Sequence, residues 1–478
     1  MIGPDYLRPD APLAERWREA DHEKVADESA ETPRWWEVFR DPVLERLVAH
    51  AYEENLTLRA AGLRVIAAQA RRGIAVGGLF PQTQELNASY TRTHLSKNNA
   101  QPALVRDFDT YLAGFDVAWE VDLWGKFRRA VQASDAELHA AVADYDAVLV
   151  SLVAEVAATY VQLRVLDERI ALARSNVDVQ RDSLRIASVR FEAGGTSELD
   201  VQQARTLLAD TEASIPQLEA QRRAAEDALS VLLGMPPADL SALLGDGDIP
   251  AAPLAIAVGI PAELLRRRPD VRRAERAVAA QSARIGVAKA DLLPRFQLVG
   301  QFGFGAEEAA KLFEGRSVAA FGGPRVDWPV LNYGRLINAV RVQDATFQEL
   351  AHAYEQTVLT AQQEVEDSLA GYLRGAEQVA HLARSVAAAN RAVDLSIIQY
   401  REGAADYTRV LTTQQAKLRE DDALTVSRGS VTLSAINLYK ALGGGWELRE
   451  GAPFVAAVDR DEMQARTWWG GMLDTREP

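Results

Sequence analysis

The chain has 478 residues, of which 48% are hydrophobic and 25% charged, a composition typical of a folded protein rather than a disordered one. Its formal net charge of -15 argues against a nucleic-acid partner, because such partners bind clustered basic surfaces. The sequence contains no cysteine, which excludes disulfides, thiolate metal sites, iron–sulfur clusters and a thiol nucleophile.

Sequence motifs of catalysis and cofactor binding are also absent. There is no P-loop, no G-x-S-x-G and no H-E-x-x-H, and the six histidines are widely scattered. No run of about 18 apolar residues predicts a membrane-spanning helix, since Ser151 and Glu155 interrupt the best candidate. We therefore expect a protein that is not an enzyme and that has no metal or cofactor.

The first predicted elements are a helix and two strands. Asp41-Pro42 predicts a helix start, because aspartate caps helices and proline fits their first turn. Residues 86–90 and 109–123 alternate between apolar and polar side chains, which is the period of a β-strand. The second segment is longer than a typical strand of about 5–6 residues. One of its faces is aromatic and aliphatic, and the other is small or acidic.

A long helix is predicted after the second strand. No proline occurs between Trp124 and Ile215, and this window is rich in residues that favour helices. Gly194-Gly195 interrupts the window, so we expect a tight turn there and a returning helix that Ser197 can cap. A helix of about 66 residues would be about 100 Å long, several times the diameter of an ordinary globular domain.

The second half of the chain repeats the first at an offset of 209 residues. Residues 296–304 and 326–330 alternate as strands, and a second proline-free window follows Val330. The duplication predicts two copies of one unit, made of strands, a long helix, a tight break and a returning helix. The matched pairs are Trp119 with Trp328, Gly125 with Gly334, Gly194 with Gly403, and Val201 with Val410.

Several local signals mark the remaining boundaries. Pro269-Asp270 predicts a helix start, and the preceding run Arg266–Arg268 is expected at a solvated or phosphate-neighbouring surface. Asp406 can cap the second returning helix. The run Gly443–Gly445 predicts its end, because glycine is favoured immediately after helices.

The strands have two interpretations, an ordinary sheet that covers a core or part of a membrane barrel. We favour the barrel, because aromatic residues lie near the strand ends, as in the girdles of membrane barrels, and the helices offer no globular core. Four strands cannot close a barrel, since the smallest have about eight, so three copies with about twelve strands are expected. The alanine-rich stripe of the first long helix likewise predicts a coiled-coil bundle of several hairpins.

Motifs spread over the whole chain resemble the TolC-type outer membrane factors. The resemblance is to the lipoprotein branch that serves resistance-nodulation-division efflux pumps of Gram-negative bacteria. Each motif alone is weak, but their order and spacing, together with the repeat, make the joint signal strong. They are GPDYLRP at 3–9, WWEVFRDPVLERLV at 35–48, LFPQ at 79–82, WEVDLWGKFRR at 119–129, LLRRRPDVRRAE at 264–275, LLPRF at 292–296 and NLYKALGGGW at 437–446.

The resemblance implies a mainly α-helical homotrimer with a membrane β part. Its twelve-stranded outer-membrane barrel, with four strands from each chain, would continue as a long α-helical coiled-coil barrel in the periplasm, with an equatorial domain around the helices. The chain would then divide into an N-terminal and equatorial region (1–78), barrel strands (79–124), a first helical hairpin (125–232), a connector (233–291), further barrel strands (292–333), a second hairpin (334–445) and an equatorial tail (446–478).

The implied function is passive export through an outer membrane channel, the exit duct of a tripartite efflux pump. Its partners would be a periplasmic membrane-fusion adaptor protein, an inner-membrane resistance-nodulation-division pump and outer-membrane lipid. A duct for type I protein secretion is an alternative, and a soluble coiled-coil scaffold is a further one. Relatives carry a lipid-modified cysteine just before the GPDY-like motif, where this chain has Met1-Ile2. An anchor through a cysteine that is not in this chain is expected, as in a palmitate-bearing lipoprotein, and the alternative is a lineage without the anchor.

The resemblance also assigns roles to the two helix breaks, which would form the periplasmic mouth. One departure from relatives is Leu411-Thr412-Thr413-Gln414, where an acidic residue is common. The periplasmic gate is predicted at Asp200, Tyr407 and Arg409. The tips expected to dock the adaptor comprise Arg190, Gly194, Gly195, Thr196, Ser197, Leu199, Gly403, Ala404, Ala405 and Asp406.

The alternation of the strands assigns two barrel faces. Acidic side chains on the polar face would bias the lumen toward cations. The lumen-facing residues are predicted to be Asp116, Glu120 and Asp122. The lipid-facing residues are predicted to be Tyr111, Phe115, Val117, Trp119, Val121, Phe302, Val326 and Trp328.

Overall fold

A computed structural model describes residues 1–26, 33–98, 105–259, 261–263 and 267–475, and the chain in it is mostly helical with small sheets. The helices are α1 (Pro42–Glu54), α2 (Leu56–Gly77), α3 (Lys126–Glu192), α4 (Glu198–Leu232), α5 (Ser241–Leu244), α6 (Pro269–Ala290), α7 (Arg335–Arg401), α8 (Tyr407–Ala441) and α9 (Ala457–Arg466). The strands are β1 (Val25–Ala26), β2 (Thr83–His94), β3 (Asp107–Glu120), β4 (Ile256–Ala257), β5 (Arg295–Ala306) and β6 (Val318–Asp327).

The two long hairpins have equal dimensions. Helices α3 and α7 each contain 67 residues, and the returning helices α4 and α8 each contain 35. At 1.5 Å per residue, α3 and α7 are about 100 Å long, as the sequence predicts. Both begin after a glycine with positive φ, Gly125 at 85° and Gly334 at 79°. The duplication seen in the sequence is therefore also a duplication of structure.

One helix contradicts the expectation that no segment could cross a membrane as a helix. Within the described ranges, α3 is the single helix that is long and apolar enough to do so by length and composition. However, 61% of its apolar window is buried inside the chain. Since α3 packs against α2, α4, α6 and α8, this window belongs to the core of the helical layer.

The main hydrophobic core packs segments near both chain ends against the long helices. The ring of Trp35 stacks on Tyr439 with centroids 5.5 Å apart. The carboxylate of Asp146 on α3 is fully buried and pairs with Arg449 at 2.6 Å and with Arg272 at 3.1 Å. Burial raises the pKa of Asp146, while the two guanidinium groups oppose this rise. The parallel pair β1 and β4 joins residues 25–26 near the N-terminus to residues 256–257 of the segment between α5 and α6.

Three predicted helix boundaries are confirmed. The side chain of Asp41 caps α1 by accepting hydrogen bonds from the amides of Val43 and Leu44. Helix α6 begins at Pro269. Helix α8 ends two residues before Gly443, whose φ of 78° is readily adopted only by glycine.

The expected solvated position of the arginine run is wrong for Arg268; Arg266 lies outside the described residues. Arg268 is buried, and its Nη1 donates to the carbonyl of Ala441 at 2.9 Å. Its guanidinium also pairs with Asp270 at 2.6 Å and Glu364 at 2.7 Å. Arg268 therefore satisfies a free carbonyl in the last turn of α8 and joins this helix to α6 and α7. The local sequence does not show this role.

The main sheet is antiparallel and has four strands in the order β2-β3-β5-β6. Strand β3 begins two residues before the predicted start at Asp109 and ends at Glu120, short of the predicted end at Leu123. Strand β6 begins at Val318, earlier than the predicted 326–330 segment, and ends at Asp327. In the described chain, β2 and β6 each have a partner on one side only, which leaves two open edges.

Candidate functional site: the sheet faces and the hairpin tips

The register of the sheet gives it one apolar face. Partners directly opposite each other in antiparallel strands share a face, and the register aligns Leu86, Phe115, Phe302 and Ala320 in one row. Leu86 is 87% exposed and Phe302 is 55% exposed. The same face carries all the residues within the strands that were predicted to face lipid, namely Tyr111, Phe115, Val117, Trp119, Phe302 and Val326. An exposed apolar face of this extent marks an interaction surface rather than a solvated one.

Two of the residues predicted to face lipid lie beyond the strands. Val121 follows β3, and its amide donates to the carbonyl of Phe296 at 2.8 Å. Trp328 follows β6, and its indole Nε1 donates to the carbonyl of Leu292 at 3.1 Å. The repeat-related Trp119 donates in the same way to the carbonyl of Leu79 at 3.2 Å. In both repeats this tryptophan thus fastens the end of a strand to the turn that follows a helix.

The opposite face of the sheet is largely polar. Glu85, Asp116 and Gln301 occupy one row across β2, β3 and β5. Asp116 accepts a hydrogen bond from Asn87 through Oδ2, whereas its Oδ1 is buried without a partner in the described structure. Glu120 lies on the same face of β3, four residues further along the strand.

Asp122 does not continue this polar face, because the strand has already ended. Its carboxylate accepts from the amides of Phe127 at 3.1 Å and Arg128 at 3.0 Å, and it pairs with the Arg128 guanidinium at 3.0 Å. Asp122 therefore satisfies the free amides in the first turn of α3. The prediction that Asp122 belongs to the strand was wrong. An aspartate at this position fits the polar positions of an alternating strand and also fits the start of a helix.

The two hairpin tips are closed by the same backbone geometry. Gly194 and Gly403 have φ values of 74° and 76°, in the left-handed region that favours glycine. The amide of Gly195 donates to the carbonyl of Arg190 at 2.7 Å, and the amide of Ala404 donates to that of Gln399 at 2.9 Å. These are the six-to-one hydrogen bonds of a Schellman motif.

The caps of the returning helices differ between the tips. Asp406 accepts a hydrogen bond from the amide of Arg409 at 3.2 Å and so caps α8, as predicted. Ser197 occupies the equivalent position before α4, but its side chain makes no capping hydrogen bond. Instead, the hydroxyl of Thr196 donates to the carboxylate of Asp200 in the first turn.

A small aromatic core lies inside the paired tips. Tyr400 and Tyr407 are buried, with ring centroids 5.3 Å apart in an edge-to-face arrangement. Burial raises the pKa of both hydroxyls well above the ordinary value of tyrosine. The cluster is completed by Ala187, Val201, Ala204 and Val410, so it includes all four long helices.

This packing changes the role expected of Tyr407. It is only 1% exposed, so its side chain does not project from the surface of the tip in this conformation. Asp200 lies beside the aromatic core and accepts from the Tyr400 hydroxyl at 3.4 Å. Arg409 is exposed and donates to the Gln399 side chain at 3.3 Å. The three predicted gate residues therefore lie near one another, but Tyr407 acts inside the tip rather than at its surface.

Arg190 connects the two tips directly, a contact that sequence reasoning missed. Its guanidinium carbon lies 4.8 Å from the Tyr400 ring centre, within the range of a cation–π interaction. Nη1 donates to the carbonyl of Tyr400 and, at 3.3 Å, to that of Arg401, while Nη2 donates to the carbonyl of Gly195 at 3.2 Å. The residue at the matching position of the second repeat is Gln399. This difference between arginine and glutamine at matched positions was the one sign in the sequence that Arg190 has a role of its own.

The outer surface of the tips consists mainly of small side chains and is partly apolar. Leu199 is 63% exposed at the start of α4. Within the described ranges, no group of three histidine or carboxylate side chains is arranged to hold a metal ion. The other predicted docking residues that are exposed are Gly194, Gly195, Ser197, Gly403, Ala404 and Asp406, while Thr196 and Ala405 are half-buried.

Comparison with known proteins accounts for this architecture. A family model described as outer membrane efflux protein matches residues 47–235 and 260–444. The chain belongs to the outer membrane efflux protein family. It is 34% identical over 421 residues to the pyoverdine export outer membrane protein OpmQ of Pseudomonas putida, covering 87% of this chain and 88% of OpmQ. It is 32% identical over 470 residues to the toluene efflux pump outer membrane protein TtgF of the same species, covering 95% of each.

A solved structure of the family has the same fold. The outer-membrane channel OprN superposes with a TM-score of 0.87 at 35% identity, covering 93% of this chain and 99% of that chain. The family resemblance, the outer membrane location and the efflux function predicted from the sequence are confirmed. The family also excludes the alternative of a soluble coiled-coil scaffold.

Proposed function

We propose that this protein is the exit duct of a tripartite efflux pump and that it acts as a homotrimer. The observation that carries the proposal is the four-stranded sheet, which has one exposed apolar face and open edges at β2 and β6. In lipid, each unpaired backbone group at such an edge would cost several kcal/mol, so the edges must be paired. Three copies would join edge to edge into a barrel of about twelve strands.

The two faces of the sheet fit the two environments of such a barrel. The row containing Leu86, Phe115 and Phe302 would face lipid, and the row containing Glu85 and Asp116 would face the aqueous lumen. Carboxylates that line a pore attract cations and repel anions. We therefore propose a lumen with a preference for cations.

The hairpin tips would form the periplasmic mouth and dock a membrane-fusion adaptor protein. Their small exposed residues, including Gly194 and Gly403, allow close approach of another helical tip. Leu199 offers an apolar contact beside them. Because both tips close with the same hydrogen bonds, a trimer would present six nearly equivalent docking positions.

The gate would be a closed tip held by contacts between the two hairpins. Arg190 binds the carbonyl of Tyr400, and Asp200 accepts from the Tyr400 hydroxyl. Separation of the second hairpin from the first would break these contacts and expose the Tyr407 ring. Binding of the adaptor would open the duct if it favours the separated arrangement.

Small molecules are the proposed cargo, selected by an inner-membrane resistance-nodulation-division pump. The two relatives above are named for export of pyoverdine and efflux of toluene, both small compounds, which favours this over secretion of proteins. The duct itself would be passive, as the resemblance to outer membrane channels implies. The pump would therefore supply both the energy and the choice of substrate.

The trimer can be tested with the purified full chain in detergent. Light scattering with correction for bound detergent should give a protein mass about three times the 52.3 kDa of the chain. Since the chain lacks cysteine, Ser89→Cys combined with Ala319→Cys places unique thiols on the two open edges. A short bismaleimide should then produce covalent dimers and trimers. The matched control is Thr91→Cys with Thr110→Cys, a pair opposed within one sheet, which should react only internally.

A monomeric mass in several mild detergents, with no cross-linking between the edges, would contradict the proposal.

A further inference from the structure

A cavity of about 410 Å³ lies between helices α3 and α6, away from both the sheet and the tips. Its volume is in the range of pockets that hold small molecules, about 300–1,000 Å³. It is lined by Arg8, His139, Val142, Ala143, Arg272, Glu275 and Arg276. The lining thus combines three guanidinium groups and an imidazole with one carboxylate and a small apolar floor.

Among the ion pairs of the described structure, Arg272, Arg276 and Arg449 share two carboxylates, Glu275 and Asp146. The single carboxylate of the lining, Glu275, accepts from the Tyr6 hydroxyl at 2.6 Å and pairs with Arg276 at 3.2 Å. Arg272 pairs with Asp146, which Arg449 already binds at 2.6 Å. In a chain with a net charge of -15, these pairs leave one guanidinium charge in excess beside the cavity. This excess creates a local positive potential suited to an anion.

The positive potential also affects the pKa of the His139 imidazole. Burial lowers its pKa, and the guanidinium groups of Arg276 and Arg272 on α6 and of Arg72 on α2 lower it further, with Asp135 on α3 opposing them. The imidazole is therefore neutral at pH 7. An anion bound beside it would oppose the effect of the guanidinium groups and raise the pKa of His139.

In the proposed trimer, whose copies would join at the edges of the sheet and of the helical layer, the cavity would stay accessible. Along the helical layer α2 packs on α3, α3 on α6, and α6 on α7, so α2 and α7 form the edges and the cavity lies between the two inner helices. The Arg276 side chain is 46% exposed at its mouth. A ligand could therefore enter from solvent without separating the subunits.

We propose that this cavity binds a phosphoryl group, either of a free phosphate ester or of an anionic lipid headgroup. Guanidinium groups bind phosphate oxygens through paired N–H donors, and arginine is preferred over lysine where such planar recognition occurs. Arg272 and Arg276 lie four residues apart on α6, which places them on the same face of the helix. His139 completes the site as a group that gains a proton when the anion binds.

The test uses the full chain in detergent and isothermal titration calorimetry. The probes are inorganic phosphate, glycerol 3-phosphate and bicelles that contain phosphatidylglycerol, with bicelles of phosphatidylcholine alone as the blank. We expect saturable binding that Arg276→Gln weakens about tenfold or more, the effect of losing one charge-assisted pair. The matched control is Arg284→Gln on the same helix, whose guanidinium pairs with Glu137 outside the cavity. It should bind like the unmodified protein.

A second readout follows the imidazole of His139 in the cavity. The pKa of His139, followed by NMR and assigned with His139→Gln, should rise when phosphate or glycerol 3-phosphate is added. Binding of the soluble probes identifies a free phosphate ester as the source, and binding confined to phosphatidylglycerol identifies the lipid. Absence of saturable binding for every probe, or equal binding by Arg276→Gln and the unmodified protein, would overturn the proposal.

Discussion

The guanidinium of Arg190 lies 4.8 Å from the ring centre of Tyr400, and this contact joins the first hairpin tip to the second. Arg190 also donates to the Tyr400 and Arg401 carbonyls, which end α7. Positive charge at the C-terminus of a helix is favourable because the free carbonyls there carry partial negative charge. The same side chain donates to Gly195 in its own tip. It is therefore the residue whose contacts tie the two tips together most directly.

We predict that Arg190→Ala raises the single-channel conductance of the reconstituted protein. The cation–π contact stabilises the joined tips by about 0.5–1 kcal/mol and each charged hydrogen bond by about 1.5–3 kcal/mol, so their loss should increase the open population about tenfold or more. Planar-bilayer recording measures this. The control is Arg185→Ala, an exposed residue on the same helix that pairs only with Asp182 in the described structure. Equal conductance of both variants would show that Arg190 does not hold the gate.

The double variant Tyr407→Ala with Arg409→Ala should also raise conductance. The effect is expected to come mainly from Tyr407, because truncation of a buried aromatic side chain costs about 3–5 kcal/mol and would loosen the tip core. Arg409→Ala alone should change conductance little, since this side chain is exposed. Tyr407→Phe keeps the ring and serves as the control. Unchanged conductance in the double variant would remove both residues from the gate.

Asp116→Asn combined with Glu120→Gln should reduce the cation preference of the channel. Both side chains lie on the polar face of β3, so the variant removes two charges per chain from the proposed lumen. Reversal potentials measured in a gradient of potassium chloride should shift toward zero. Asp109→Asn, on the other face of the same strand, should leave them unchanged. An anion preference of the unmodified channel would contradict the assignment of the faces.

The ion pair of Arg268 and Asp270 should make stability depend on pH. Burial would raise the pKa of Asp270, but the Arg268 guanidinium and the Val271 amide outweigh it and lower the pKa below the ordinary value. A carboxyl whose pKa is lower in the folded state stabilises the protein above its unfolded pKa of about 3.9, and this stabilisation is lost as pH falls through the folded value. Asp270→Asn should therefore lower the thermal midpoint at pH 7 and have progressively less effect below about pH 4.

Circular dichroism in detergent measures these midpoints. The control is Asp182→Asn, which removes an exposed pair and should shift the midpoint little at either pH. A difference between Asp270→Asn and the unmodified protein that stayed constant from pH 7 to pH 3 would show that the charge of Asp270 is not what stabilises this contact.

Local chemistry explains why much of the fold was predictable. Gly125, Gly194, Gly334 and Gly403 all adopt positive φ, so the ends of the long helices are visible in the sequence as glycines. Alternation marked the strands, since successive side chains point to opposite faces. The boundaries were less accurate, because Asp122 and Trp328 continue the alternation after the ladder hydrogen bonds have ended.

The candidate site was less predictable, because its residues meet across large separations in sequence. Arg190 and Tyr400 are 210 residues apart, and Asp146 and Arg449 are 303 apart. Nothing in the sequence near Arg268 indicates that its guanidinium binds a carbonyl in the last turn of α8. The residues next to Tyr407 in the sequence have the composition of a surface turn, yet side chains from four helices bury its ring.

The sequence by itself determined the duplication, the helical hairpins, the two-faced strands and the family, because these follow from periodicity, glycine and proline positions, and motifs along one chain. Only the tertiary structure decided which polar groups are buried and what they bind. Tyr407 belongs to a packed core, Arg268 to a buried ion pair and Arg190 to a link between tips. The physical reason is that burial and pairing depend on neighbours in space, and many of those neighbours are far apart in the sequence.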